Sequence, residues 1–312
     1  MKVGIDIMGG DYAPEKTIFG AILAKEILNN SCEIYLFGDK SNIIPLLEKE
    51  NVNPEIFKIV HCPDVIEMGE NPAKSFSTKS NSSIVTGYKY LKSGEIDGFT
   101  SAGNTGAMMV GAMHVVKSIP GVIRPGIATT LPNLKGGQTI IIDVGINPDC
   151  RPDVLFQYGI LGSIYCKYIY NVDNPKIGLL NVGSEEGKGN LLTKNTYDLM
   201  KDNKDFNFIG NVEGNDIFND EIDVIVCDGF VGNVILKEAE AFYKILKTRN
   251  VNDEFINRLN FEHYGGIPIL GINQIVTIGH GISGSEAIKN MILQTKKEIE
   301  TNLSEKFKEA FN

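Results

Sequence analysis

The sequence predicts a doubly wound, mostly parallel sheet in an α/β/α sandwich. Three observations predict it. Short β-branched and apolar runs, of the kind that are buried on both sheet faces, recur along the chain. Stretches with helical spacing fill most of the gaps, as right-handed crossovers between parallel strands require. Glycines, 33 among 312 residues, gather in turns directly after the strand-like runs.

Taken in order, strands are expected over residues 2–8, 33–37, 57–61, 96–100, 127–131, 139–144, 176–182, 206–209, 222–227 and 274–278. Helices are expected over 15–28, 42–49, 82–92, 107–117, 153–170, 191–201 and 233–247. Residues 238–263 read as a short helical hairpin with Phe242, Ile245 and Leu246 on one apolar face and Phe255, Ile256 and Leu259 on another. A C-terminal helix over 285–311 carries Ile288, Ile292, Ile299, Leu303 and Phe307 at helical spacing, as a docking helix with a solvated Lys/Glu face does. The chain reads as one catalytic unit over 1–312, with turns at 133–137 and 171–175 where two lobes could divide.

A net charge of −9 argues against nucleic-acid binding and obliges any acidic partner to meet a local basic patch. Five cysteines, none in a Cys-x-x-Cys pair, read as reduced cytosolic thiols, with Cys32 and Cys227 in the core. The start Met1-Lys2-Val3-Gly4-Ile5-Asp6 reads as a strand rather than a signal peptide, and no apolar run is long enough to span a bilayer. A cytoplasmic protein is expected.

The chemistry sits in the turns. Ser101-Ala102-Gly103-Asn104-Thr105-Gly106-Ala107 lies between a strand and a helix, where close backbone approach and the helix dipole favour an anion. Gly9-Gly10-Asp11, residues 183–189 and Gly279-His280-Gly281 repeat the arrangement. Asp143 to Asn147 and Asp228 to Asn233 close two further strands, where open α/β sheets face their ligands. Turn chemistry alone explains any one of these, because Asp, Asn and Gly suit turns. Their recurrence after successive strands favours a shared rim.

Other motifs fall short. Gly279-His-Gly-Ile-Ser-Gly284 fits G-x-G-x-x-G, but no strand and no ribose-binding acid follow, so NAD binding is poorly supported. Gly183-Ser-Glu-Glu-Gly-Lys188-Gly189 is one residue short of a nucleotide phosphate loop and lacks its Ser or Thr. The four histidines show no metal-ligand spacing, and no Gly-x-Ser-x-Gly elbow occurs.

As a set, these residues resemble the bacterial phosphate acyltransferase (PlsX) family. The resemblance runs from Ile5-Asp-Ile-Met-Gly-Gly-Asp11 with Ala13-Pro14, through Ser101 to Ala107 and Asp143-Val-Gly-Ile-Asn147, to Gly178-Leu-Leu-Asn-Val-Gly183 with Glu185-Glu186 and Lys188-Gly189-Asn190. It continues through Asn207 to Gly214, Val226-Cys-Asp-Gly-Phe-Val-Gly-Asn-Val234, Tyr264-Gly265-Gly266 and Gly279-His280-Gly281. It implies a fold similar to the phosphate acetyltransferases and the isocitrate and isopropylmalate dehydrogenases. It implies reversible transfer of a long acyl group from acyl carrier protein to inorganic phosphate, giving acyl phosphate for phospholipid synthesis; no cofactor or metal is expected. It also implies a cytoplasmic homodimer with peripheral membrane contact, supplying a membrane glycerol-phosphate acyltransferase. Alternatives are a short-chain phosphate acyltransferase using acyl-coenzyme A and an NAD-dependent dehydrogenase.

Two departures stand out. Ile282-Ser283-Gly284 follows Gly-His-Gly where the family commonly has Ser-Ser, and the hairpin before Tyr264 is short. On this reading Gly9, Gly10, Asp11, Ser101, Gly103, Asn104, Thr105, Gly106, Asn147, Asn190 and Ser283 form the phosphate and substrate rim, where Asp143 and Asp228 orient neighbours. Lys188 balances the phosphate charge, with Arg124 as a second cation, and His280 or Asn233 donates to the developing oxyanion.

Overall fold

The computed structural model describes residues 1–311. Its strands are β1 (Lys2–Asp6), β2 (Glu33–Gly38), β3 (Lys58–His61), β4 (Gly98–Ser101), β5 (Gly126–Pro132), β6 (Gln138–Ile142), β7 (Lys176–Leu180), β8 (Asn207–Val212), β9 (Val224–Val226), β10 (Ile267–Leu270) and β11 (Ile275–Ile278). Its helices are α1 (Glu15–Leu28), α2 (Lys40–Lys49), α3 (Pro72–Thr78), α4 (Ser83–Ser93), α5 (Thr105–Gly111), α6 (Pro152–Tyr170), α7 (Leu191–Met200), α8 (Gly229–Thr248), α9 (Glu254–Arg258), α10 (Ser285–Glu300) and α11 (Leu303–Phe311). The chain divides into two compact units, Met1–Ser118 with Phe261–Ser304, and Ile119–Asn260 with the residues from Glu305 onward.

In the first unit the sheet order is β3-β2-β1-β4-β11-β10, parallel except for β10, which runs antiparallel to β11. Val3, Ile5, Ile34 and Leu36 alternate with residues buried on the opposite face, so β1 and β2 are covered on both sides. Ile18, Ala21 and Ile22 of α1 and Ile288, Met291 and Ile292 of α10 complete that core. The opposite face carries edge-to-face rings of Phe37, Tyr88 and Phe99. Asn104 and Ser82 cap α5 and α4 by accepting from Ala107 and Val85 N–H groups.

In the second unit the order is β5-β6-β9-β7-β8, with β5 antiparallel to β6 and the rest parallel. Ile140 to Ile142 and Val224 to Val226 are fully buried, and α6 sets Val154, Leu155, Tyr158 and Leu161 into the same core. Arg151 precedes Pro152 at the first turn of α6, where a missing N–H costs nothing.

Most expected elements are present, with strand ends trimmed by up to two residues or extended by up to three. The mixed orientation comes from β5 and β10. The helix expected over 107–117 begins at Thr105 and finishes in a π turn, Ala112–Val116. The segment expected as one helix over 285–311 is divided at Asn302, whose φ of 51° ends α10 and restarts the chain as α11. Within 238–263, α8 is followed by the short α9, and Lys247 Nζ donates to Asn257 Oδ1 at 3.0 Å.

Helices α1 and α10 meet at Gly20. A Cβ there would lie 2.5 Å from Ile288 Cβ and 2.7 Å from the Ser285 carbonyl oxygen. Alanine in a helix gains up to about 1 kcal/mol over glycine, but overpacking costs about 1–3 kcal/mol, and neither neighbour is a flexible side-chain end. Gly20→Ala is therefore expected to lower the urea unfolding midpoint; an unchanged or raised midpoint would show that α10 can retreat freely.

Candidate active site

In the first unit three glycine-bearing turns converge. Asp11 N–H donates to the Gly281 carbonyl at 2.7 Å, and Gly279 N–H donates to the Ser101 carbonyl at 2.8 Å. Gly10 has φ +112°, and a Cβ there would lie 3.2 Å from Gly281 O and 3.5 Å from Ala102 Cβ. Turns that lie far apart in sequence are thus in backbone contact.

Asp6, at the end of β1, ties them together. Its carboxylate accepts from Met8 N–H at 3.0 Å and from Ser101 Oγ at 2.7 Å, and Ser101 Oγ accepts from Gly103 N–H at 2.9 Å. Gly9 presses on the same carboxylate: a Cβ there would lie 2.4 Å from Asp6 Oδ2 and 2.6 Å from Gly103 N. Burial pushes the Asp6 carboxyl above the usual carboxylate range, and hydrogen bonds from Ser83, Ser101 and backbone N–H groups pull part of the way back.

These contacts commit several of the expected rim groups. Gly103 N–H is taken by Ser101. Asn104 Nδ2 donates to the carbonyls of Glu67, Met68 and Glu70, while its Oδ1 caps α5. Asn104 and Ser101 therefore hold the turn in shape. Thr105 and Gly106 supply the first-turn N–H groups of α5, which no intrahelical carbonyl reaches.

The turn from β11 to α10 differs. His280 packs edge-to-face on Phe261 with ring centroids 4.7 Å apart, and its carbonyl accepts from Ser283 N–H. No side chain caps α10 at Gly284. Among the described residues, the Oγ atoms of Ser283 and Ser285 are buried and have no hydrogen-bond partner. The Glu262 carboxylate borders this turn, 2.7 Å from where a Gly284 Cβ would stand.

The second unit repeats the carboxylate device. Asp143 is fully buried, and its carboxylate accepts from the N–H groups of Ile127, Ile146 and Asn147. Asn147 Nδ2 donates to Pro125 O and Tyr158 Oη. Burial again raises the Asp143 carboxyl, against the pull of these hydrogen bonds. Asp228 caps α8 through Val231 N–H, and Asn190 caps α7 through Thr193 N–H. Exposed Asn233 donates from Nδ2 to Val144 O at 3.2 Å.

Lys188 stands on a loop whose backbone is fixed from below. Asn181 Nδ2 donates to Lys188 O and to Asn211 Oδ1, and Asn211 Nδ2 donates to Glu185 O. The side chain itself is 53% exposed and lies 3.7 Å from Glu185. Arg124 is engaged elsewhere, donating to Asp149 O at 2.9 Å. The sequence reading did not single out Asp6, Asn181 or Asn211 for these roles. For Asp6 a signal existed: an acid inside the apolar run Val3 to Ile7.

Solved structures that share this fold include phosphotransacetylases and 4-hydroxythreonine-4-phosphate dehydrogenases. A EutD phosphotransacetylase from Staphylococcus aureus matches with a TM-score of 0.65 over 96% of this chain and 94% of that chain, at 16% identity. A branched-chain phosphotransacylase from Enterococcus faecalis gives 0.63 over 96% and 99%, at 14% identity. The fold is thus a phosphotransacetylase-like α/β fold. In sequence, the fatty acid synthesis protein family matches residues 1–306. A phosphate acyltransferase from Dictyoglomus turgidum is 42% identical over 331 aligned positions, covering all of this chain and 98% of the relative. The chain belongs to this phosphate acyltransferase family.

The Asp6 geometry yields a signed pH effect. A buried acid whose folded value is raised contributes stability that is fully present below its unfolded value, near 3.8, and lost as pH rises through the folded value. Wild-type stability relative to the titration-free Asp6→Asn variant should therefore fall as pH rises through the window that opens near 3.8. Urea midpoints of both proteins across that window check it; a constant difference contradicts it. The same substitution removes the charged acceptor of Ser101, so the phosphate KM should rise roughly tenfold, as loss of one charged hydrogen bond implies.

Proposed function

We propose that this phosphate acyltransferase moves a long-chain acyl group from acyl carrier protein to inorganic phosphate, releasing acyl phosphate for phospholipid synthesis. One observation carries the phosphate seat. Two buried hydroxyls without partners, on Ser283 and Ser285, flank the uncapped N-terminus of α10. An unpaired buried hydroxyl costs about 1–3 kcal/mol, and a tetrahedral oxyanion satisfies both while meeting the helix dipole. The turns at Gly9-Gly10-Asp11 and Thr105-Gly106 complete the seat.

A phosphate oxygen attacks the thioester carbonyl. The new C–O bond forms, the C–S bond breaks, and the thiolate leaves and takes a proton from solvent. Phosphate is already an anionic nucleophile and the thiolate leaves readily, so the protein supplies position and charge. Lys188 balances the phosphate charge. Its pairing with Glu185 is exposed and worth at most about 1 kcal/mol, so the cation is easily recruited. His280 or Asn233 donates to the oxyanion.

The protein works as a cytoplasmic homodimer. Phe230, Val234, Phe242 and Ile245 leave an exposed apolar stripe along α8 that supports the self-association. It meets the membrane peripherally, where a glycerol-phosphate acyltransferase consumes the product; no helix among the described residues is long and apolar enough to cross a membrane.

Incubation with palmitoyl carrier protein and phosphate, followed by hydroxylamine trapping, should yield palmitoyl hydroxamate. Activity with acyl-coenzyme A alone would redirect the reading to the short-chain class. Lys188→Ala should raise the phosphate KM about 10–100-fold, the worth of a charged hydrogen bond; a wild-type value removes Lys188 from the site. The KM for the acidic carrier should climb between about 0.05 M and about 0.5 M salt, as screening weakens its basic contacts.

A further inference from the structure

The second unit contains a cavity of about 460 Å³ at the C-terminal end of β7. Its lining runs from dry to wet. Leu155, Leu179 and Cys227 are buried at one end, while Val182, 80% exposed, and Val231 stand at the other. Among the described residues no Lys or Arg lines it, and the one carboxylate in its wall, Asp228, is engaged in capping α8. Burial also pushes the Cys227 thiol up, so the deep end stays uncharged.

Such a cavity suits a neutral chain that enters tail first. A carrier's phosphopantetheine arm has amides that need partners, and the deep end supplies only Leu155, Leu179 and a thiol; burying an unpaired amide there is costly. A hydrocarbon tail carries no such penalty and gains with every methylene buried. At the mouth lie Asn181, Gly189 and Asn190, the loop that carries Lys188.

We propose that this cavity holds the distal hydrocarbon of the acyl group, and that Gly214 in its wall sets the chain length it accepts. The assignment rests on the acyl-transfer reading above. Gly214 is a sensitive position because no heavy atom lies within 4 Å of a Cβ built there, and its φ lies outside the left-handed region. A larger side chain therefore extends into open space rather than into packed core.

The test compares wild type with Gly214→Phe on butyryl and palmitoyl thioesters of one carrier at saturating phosphate. The palmitoyl-to-butyryl ratio of kcat/KM should fall roughly tenfold or more, the equivalent of about two methylenes left unburied. The phosphate KM should stay unchanged. A fluorescent hexadecanoic acid probe should bind more weakly by a similar factor. Val231→Asp, at an exposed helix position, should weaken the probe as well and serves if Gly214→Phe folds poorly. An unchanged ratio in an active enzyme, or an equal fall for both chains, overturns the cavity and leaves acyl transfer standing. If wild type makes acyl phosphate from neither thioester, the acyl-transfer reading fails, and the probe decides on the cavity alone: undiminished binding by both variants overturns it.

Discussion

A buried carboxylate at the end of a central strand organises the loops of each unit, and the rim depends on it. Asp6 closes β1, and Asp143 follows β6 directly. Each gathers donors from its own turn and from an adjacent strand: Met8 and, at the end of β4, Ser101 for Asp6; Ile146, Asn147 and, on β5, Ile127 for Asp143. In each unit a glycine leaves the oxygen its space, Gly9 from the same turn as Asp6 and Gly229 from the turn after β9. A Cβ at Gly9 would stand 2.4 Å from Asp6 Oδ2, and one at Gly229 would stand 2.7 Å from Asp143 Oδ2. Burial raises both carboxyls, and the charged form is tolerated only while its donors stay aimed at it. The loops are therefore fixed before any ligand arrives.

That prior fixing bears on how an acidic chain holds an anion. The net charge is −9, and charges beyond about 8 Å are screened at physiological salt. Attraction must come from groups at the seat itself. Oriented N–H groups and hydroxyls serve, because their dipoles add no net charge and need no reorganisation. Ser283 and Ser285 keep their hydroxyls buried and unpaired. The free protein bears that cost, which the oxyanion proposed for this seat would relieve. The Glu262 carboxylate beside Gly284 opposes a bare anion, so the hydroxyls and the α10 dipole have to outweigh it.

Much of this fold is legible in the chain because the strands are buried on both faces and so read as unbroken apolar runs. What escaped has local causes. Strand β10 is only Ile-Pro-Ile-Leu after two glycines, and Pro268 masks a run that pairs antiparallel with β11. Helix α3 has seven residues and no apolar period; its trace is the cap Asn71 followed by Pro72. The division of the C-terminal helix turns on one left-handed Asn302 amid continuous helical spacing. The site shows the same divide. Its glycines are visible because tight turns require them. Which polar atoms those turns consume is not, since Asp6 and Ser101 are 95 residues apart and Asn211 meets Asn181 across a strand pair.

Lys188 shows why the distinction between backbone and side chain matters. Ordering a loop residue costs about 1–2 kcal/mol of backbone entropy, and fixing a lysine side chain costs up to about 2 kcal/mol more. Here Asn181 and Asn211 have already fixed the loop through the carbonyls of Lys188 and Glu185. If Lys188 meets phosphate as proposed, only the side-chain term is left for that moment, and one charged hydrogen bond, at about 1.5–3 kcal/mol, offsets it. The same asparagine-held loop lines the mouth of the apolar cavity. A chain seated there packs against a wall that is already rigid, so the free energy of burying its methylenes goes into holding the thioester in place rather than into ordering the loop beside it.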